Sequence, residues 1–98
     1  MAQPLSDSPA RKDWSQQEVQ LLVTNYFEML EAELMGNPYK KSAQRKALEP
    51  QLSGRSKGSV EFKHQNVSAV LVEMGLPYVE GYKPLGNYQA LLATEVES

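Results

Sequence analysis

Val19, Leu22, Val23, Tyr26, Leu30 and Leu34 recur at intervals of three and four residues, the repeat that lays one apolar stripe along an α-helix. Just before it, Ser15-Gln16-Gln17-Glu18 has the form of a capping box. The Ser15 hydroxyl can accept from the Glu18 amide while the Glu18 carboxylate reaches back to the Ser15 amide. Trp14 and Val19 occupy the positions of a hydrophobic staple, and Phe27 and Met29 widen the stripe. Gly36 supplies a left-handed cap and Asn37-Pro38 forbids continuation. A helix this amphipathic must bury its stripe against other elements, and those elements read as helices too.

A second helix is expected to start between Pro38 and Ser42, with Ala43, Ala47 and Leu48 inward and Lys41, Gln44 and Arg45 outward. Pro50 disfavours helix at Glu49 and shortens it or makes its last turn irregular. The third helix is expected from near Ser59, its cap, with Val60, His64, Val67, Leu71 and Met74 on the inner line and Val70 beside them. Gly75 ends it, Leu76 can touch Leu71 as in a Schellman motif, and Pro77 blocks extension. A turn-rich loop over residues 75–86 carries Tyr78 and Tyr82, and a last helix from about Asn87 sets Tyr88, Leu91, Leu92 and Val96 inward. No useful length alternates with period two. The fold class is all-α, a small four-helix domain with short loops.

At 98 residues the chain holds one modest core. Residues 1–12 are polar, contain two prolines and show no period, so they read as a disordered arm ahead of a helical domain over residues 13–98. Cysteine is absent, which removes disulfides, thiolate catalysis and cysteine zinc sites, and fits a reducing cytoplasm. No apolar run reaches the roughly 18 residues of a membrane span, and the start of the chain lacks the apolar core of a signal peptide. The Asn66-Val67-Ser68 sequon lies inside an expected helix and is taken as chance.

The net charge of −2 hides an asymmetry. Residues 13–36 contain five acids and no Lys or Arg, whereas residues 37–66 contain seven Lys or Arg against Glu49 and Glu61. From Val67 onward the chain is acidic again, with only Lys83 positive. The basic middle includes SGRSKGSVEFKHQN, residues 53–66, a glycine- and serine-rich turn running into the third helix. A helix start offers unpaired amides and partial positive charge, and glycines let a phosphate approach the backbone. The candidate DNA contacts are therefore Lys41, Arg45, Arg55, Ser56, Lys57, Ser59 and Lys63. Gln65 and Asn66 are amides of the type that reads adenine edges, and Lys83 lies beside the two tyrosines of the loop. The plainer alternative is a turn whose serines cap a helix and whose cations are solvated. Lys57-Gly58-Ser59 inverts the ending of a nucleotide-binding P-loop, and no strand precedes it.

His64, the single histidine, faces inward and reads as structural. No Ser/Asp constellation surrounds it and no metal-ligand spacing exists, so neither catalysis nor a metal or other cofactor is expected. Glu18 and Glu61 read as first-turn electrostatics.

The segments NYFEMLEAEL, RSKGSVEFKHQNVSAVLVEMGLPYVEGYKP and NYQALL together resemble the N-terminal helical head domain of McrA-like, modification-dependent HNH restriction endonucleases. The likeness runs from about Trp14 to Val96 and is densest from Arg55 to Tyr88. Lys40 stands where the resemblance leads one to expect asparagine. The resemblance implies a DNA-associated defence setting, in which other domains recognise modified DNA and an HNH domain cuts it. The leading expectation is a non-catalytic module that contacts DNA phosphates and works with a nuclease domain in cis or in trans. The alternative is a protein docking or homodimerisation module, with Tyr78 and Tyr82 at the contact and the cations solvated.

Overall fold

The computed structural model describes residues 14–98. The expected arm over residues 1–12 lies outside the described residues. Every regular element among the described residues is helical. Helix α1 spans Gln16–Leu34, α2 Lys41–Leu48, α3 Lys57–Glu73 and α4 Ala90–Glu97, with one turn of 3₁₀-helix at Glu49–Gln51. Helix α1 is the centre of the arrangement and packs on α2, α3 and α4; α3 and α4 also pack on each other.

The N-cap of α1 and the glycine caps ending both long helices form as the sequence dictates. Ser15 Oγ accepts from the Glu18 amide at 3.2 Å and Glu18 Oε1 accepts from the Ser15 amide at 3.0 Å, so the capping box is complete. Both long helices end in full Schellman motifs. Asn37 N donates to Ala32 O and Gly36 N to Glu33 O, and Leu76 N donates to Leu71 O and Gly75 N to Val72 O. Gly36 and Gly75 both sit at φ 73°, where a Cβ would be strained. The core gathers Trp14, Val19, Leu22, Tyr26, Met29 and Leu30 of the first helical segment with Leu48, Val60, Val67, Val70, Leu71, Val79, Tyr82 and Leu92.

Four expectations about faces and ends change. In α2, Ala43 and Ala47 are exposed while Lys41, Gln44 and Arg45 turn partly inward. The reason is that α2 covers polar rather than apolar ground: the Asn25 amide donates to Gln44 O and Gln44 Oε1 at 3.1 and 3.2 Å. Helix α3 starts one turn early, at Lys57, because Ser56 rather than Ser59 is its cap; Ser56 Oγ accepts from Ser59 N at 3.1 Å. Helix α4 begins at Ala90, since Asn87 adopts φ 59° and cannot start a helix there. Leu34 and Met74, placed on the inner stripes by spacing, are exposed, because both stand where their helices run past the core.

The connection over residues 75–89 has no regular structure, and side chains hold it down. Tyr26 Oη accepts from Val79 N at 2.8 Å and Glu33 Oε2 accepts from Glu80 N at 3.0 Å. Lys41 Nζ donates to Gly81 O at 2.7 Å. The Asn66 amide donates to the carbonyls of Leu85 and Gly86. Gln89 then clasps the start of the fold: its Oε1 accepts from Trp14 N and its Nε2 donates to Trp14 O, at 3.1 and 2.9 Å. Buried backbone that lacks a helical ladder must find such partners.

Candidate functional site

The basic middle segment does not present its charges together. Arg55 is only 9 % exposed and its guanidinium turns into the fold. Its Nε donates to Glu18 Oε2 at 3.1 Å and its Nη2 to Glu18 Oε1 at 2.9 Å, a bidentate pair. The same carboxylate accepts from Ser15 N and Ser53 N, both at 3.0 Å, so each oxygen takes two donors. The Arg55 bonds, helped by those two amides, hold the Glu18 carboxyl down at about 2 although burial opposes ionisation. Arg55 Cζ also stands 5.1 Å from the Trp14 ring centroid. The expectation that Arg55 contacts phosphate is therefore corrected. Its partner is an internal carboxylate, and Glu18 does more than dress the first turn.

Asn66 is corrected on the same ground. It is fully buried and its amide serves the loop carbonyls, so it reads no base edge. Lys41 bonds Gly81 O and lies 4.2 Å above the Tyr82 ring, and Arg45 Nε pairs with Glu49 Oε2 at 3.1 Å one turn along α2. Lys63 is half-buried, with Nζ 3.4 Å from Gln89 Oε1 and 5.9 Å from the Trp14 centroid. Gln65 is half-buried and its carbonyl accepts from Leu85 N at 3.1 Å. Ser56 and Ser59 form the α3 cap. Lys57, Gly58 and Lys83 stand exposed, and a Cβ built on Gly58 would meet nothing within 4 Å. Of the nominated residues, then, Ser56, Lys57 and Ser59 share one open turn, and most of the others are engaged within the domain.

His64 is fully buried, as its spacing implies. Its Nε2 lies 3.1 Å from Asn25 Oδ1, and its ring stacks on Tyr82 at 4.6 Å. Because the Asn25 amide must donate to the Gln44 carbonyl, Oδ1 is the acceptor facing His64 and Nε2 carries the proton. Burial, with Lys41 nearby, pushes its pKa from 6.5 down to about 3, so the ring is neutral at ordinary pH. Nδ1 has no hydrogen-bond partner among the described residues. Burial pushes the Tyr82 hydroxyl up to about 12. Tyr82 is 3 % exposed and builds the core, which removes it from a docking surface; Tyr78 remains half-exposed. Among the described residues no group of three or more His, Asp or Glu is placed to hold a metal ion, and no helix is long and apolar enough to cross a membrane.

The second surface was missed by spacing. At the far end of α1, Leu34 and Met35 are 63 % and 66 % exposed, and Leu76, after the end of α3, is 46 % exposed. They are joined by two shallow grooves that share Leu34. One is walled by Phe27, Leu30, Glu31 and Met35, the other by Glu33, Leu76, Pro77, Tyr78 and Glu80. A third groove continues past Phe27 and Glu31 to Glu28, Glu95 and Val96. The signal in the sequence was present: apolar residues sit at both helix ends, beside Gly36 and Gly75, where the chain has already left the core.

Compared with protein-family profiles, curated proteins and solved structures, the chain matches none.

Proposed function

We propose that this chain is a non-catalytic helical docking module that holds a partner protein against the apolar end of α1 and the turn after α3. In the setting implied by the resemblance, the partner is the nuclease domain of a modification-dependent defence system. The observation that carries this reading is the run of exposed Leu34, Met35 and Leu76, joined by grooves that share Leu34. Contiguous exposed apolar surface on a small domain marks an interaction site more often than scattered single residues do. A photo-crosslinking amino acid at position 34, introduced in cells, is expected to form an adduct with a polypeptide that mass spectrometry identifies as carrying a nuclease domain. The same group at position 57 is expected to form none. Absence of a protein adduct at position 34 removes the reading.

A second reading, contact with DNA phosphates, is favoured by one feature. The first turn of α3, with Lys57 and Gly58 exposed beside the Ser56 cap, keeps the partial positive charge of a helix start open to solvent. With so few cations available, duplex binding is expected to be micromolar or weaker, with a log–log salt slope of only about −1 to −2. Titration of labelled duplex at low and moderate salt tests it, and no binding at about 20 mM salt ends it.

A further inference from the structure

The charge around the apolar grooves identifies what they fit. The three connected grooves are bordered by Glu28, Glu31, Glu33, Glu80 and Glu95, and among the described residues no Lys, Arg or His lines any of them. Glu33 is already occupied, accepting from the Tyr39 hydroxyl and from Glu80 N, whereas Glu28, Glu31 and Glu80 are exposed. We infer that this surface takes an amphipathic helix with an apolar stripe flanked by lysine or arginine, supplied by another polypeptide. The inference rests on the docking reading above and narrows it to a partner chemistry.

Three physical points select that occupant. First, Phe27, Leu30, Glu31 and Leu34 follow one another at helical spacing along α1, making a ridge-and-groove surface of the kind a second helix packs on. Phe27 to Leu34 covers roughly 10 Å of helix axis, which two to three turns of a partner would match. Second, no strand edge exists among the described residues to accept an extended peptide by backbone pairing. Third, the border is acidic throughout, so a second copy of this chain meeting the same face would set carboxylates against carboxylates. Like charges facing each other disfavour a symmetric homodimer here, and opposite charges speed and orient a basic partner.

The test uses the full chain, ¹⁵N-labelled, and three synthetic peptides roughly 18 residues long, enough to hold a helix. One is a Leu/Lys amphipathic helix, one replaces Lys by Glu, and one scrambles the Leu/Lys sequence so that no stripe forms. The Leu/Lys helix is expected to bind at micromolar concentrations, with amide shifts confined to residues 27–35, 76–80 and the end of α4. The Leu/Glu helix and the scramble are expected to bind at least about tenfold more weakly. Leu34→Lys and Glu31→Lys, both at exposed positions that leave the core intact, are each expected to weaken the Leu/Lys helix about tenfold. Equal binding by the scramble, shifts centred elsewhere, or no binding by the Leu/Lys helix overturns the inference. A nuclease adduct at position 34 alongside a silent Leu/Lys helix overturns the basic-helix partner and leaves docking standing. Peptide binding in the groove without any adduct at position 34 keeps the groove chemistry and removes the docking reading with its nuclease partner instead.

Discussion

The basic turn before α3 and the apolar end of α1 have traded the roles that composition gives them. The basic middle is rich in charge, yet Arg55 of the turn is buried on Glu18 and Lys41 of the neighbouring α2 is spent on a loop carbonyl. The end of α1 is rich in leucine and methionine, yet Leu34 and Met35 stand in solvent. What separates the two is the supply of internal acceptors. The irregular segment over residues 75–89 brings carbonyls that need donors, and the Glu18 carboxylate needs a cation once it is buried. Cations and amides of the middle segment meet those needs. Among the described residues nothing comparable reaches past the core to cover the end of α1.

The comparison breaks most directly at the ion pair. Arg55→Ala leaves a four-fold bonded carboxylate short of its cation in a buried site and is expected to cost about 3–5 kcal/mol. Lys57→Ala, two residues on and exposed, is expected to stay within about 0.5 kcal/mol. Chemical denaturation of the two variants decides the point. Equal, small effects would return Arg55 to the surface.

Acid should expose the same interior. His64 is held neutral down to about 3, so below its ordinary 6.5 the unfolded chain takes up a proton that the folded chain refuses. Stability is therefore complete above pH 6.5 and falls by up to about 1.4 kcal/mol per pH unit beneath it. Glu18, depressed from 4.5 to about 2, contributes stability that is present above 4.5 and lost as the pH falls toward 2. Thermal unfolding from pH 7 to 3 should show a decline starting near 6.5 that steepens below 4.5. His64→Gln should remove the first stage and keep the second. A midpoint that is flat from pH 6.5 to 4.5 in the parent chain would mean that His64 is not buried as a neutral ring.

These effects mark the limit of what spacing could reveal. The capping box, both glycine-capped helix ends, the inward His64 and the four helices follow from local patterns, because caps and stripes depend on residues within a turn or two of each other. The destination of Arg55 depends on Glu18, 37 residues earlier, and that of Asn66 on carbonyls about 20 residues later. An arginine in a Gly/Ser turn looks the same in sequence whether it faces a phosphate or an internal acid. The reversal of α2 has the same origin, since Asn25 on α1 draws Gln44 inward where alanine spacing points the other way.

A smaller effect tests the loop. Asn66→Ala strips the donor from Leu85 O and Gly86 O and is expected to cost about 1–3 kcal/mol. Hydrogen exchange should quicken around residues 79–86 more than in α1. A uniform change would mean that Asn66 supports the whole core rather than this strap.

The smallest expected effect on stability comes from the other region. Leu34 is 63 % exposed, so Leu34→Lys removes little buried surface and should shift the unfolding free energy by no more than about 0.5 kcal/mol. The new cation would lie near Glu31, three residues earlier, on a helix end where positive charge is favourable, which offsets some of what is lost. A variant that is equally stable or slightly more stable, yet no longer holds the partner, would show that leucine at this position serves an interface and not the fold. A cost of about 2 kcal/mol or more would instead place Leu34 in the core of the folded chain in solution. The contrast between an inward-turned basic turn and an outward-turned apolar end would then fail at its second half.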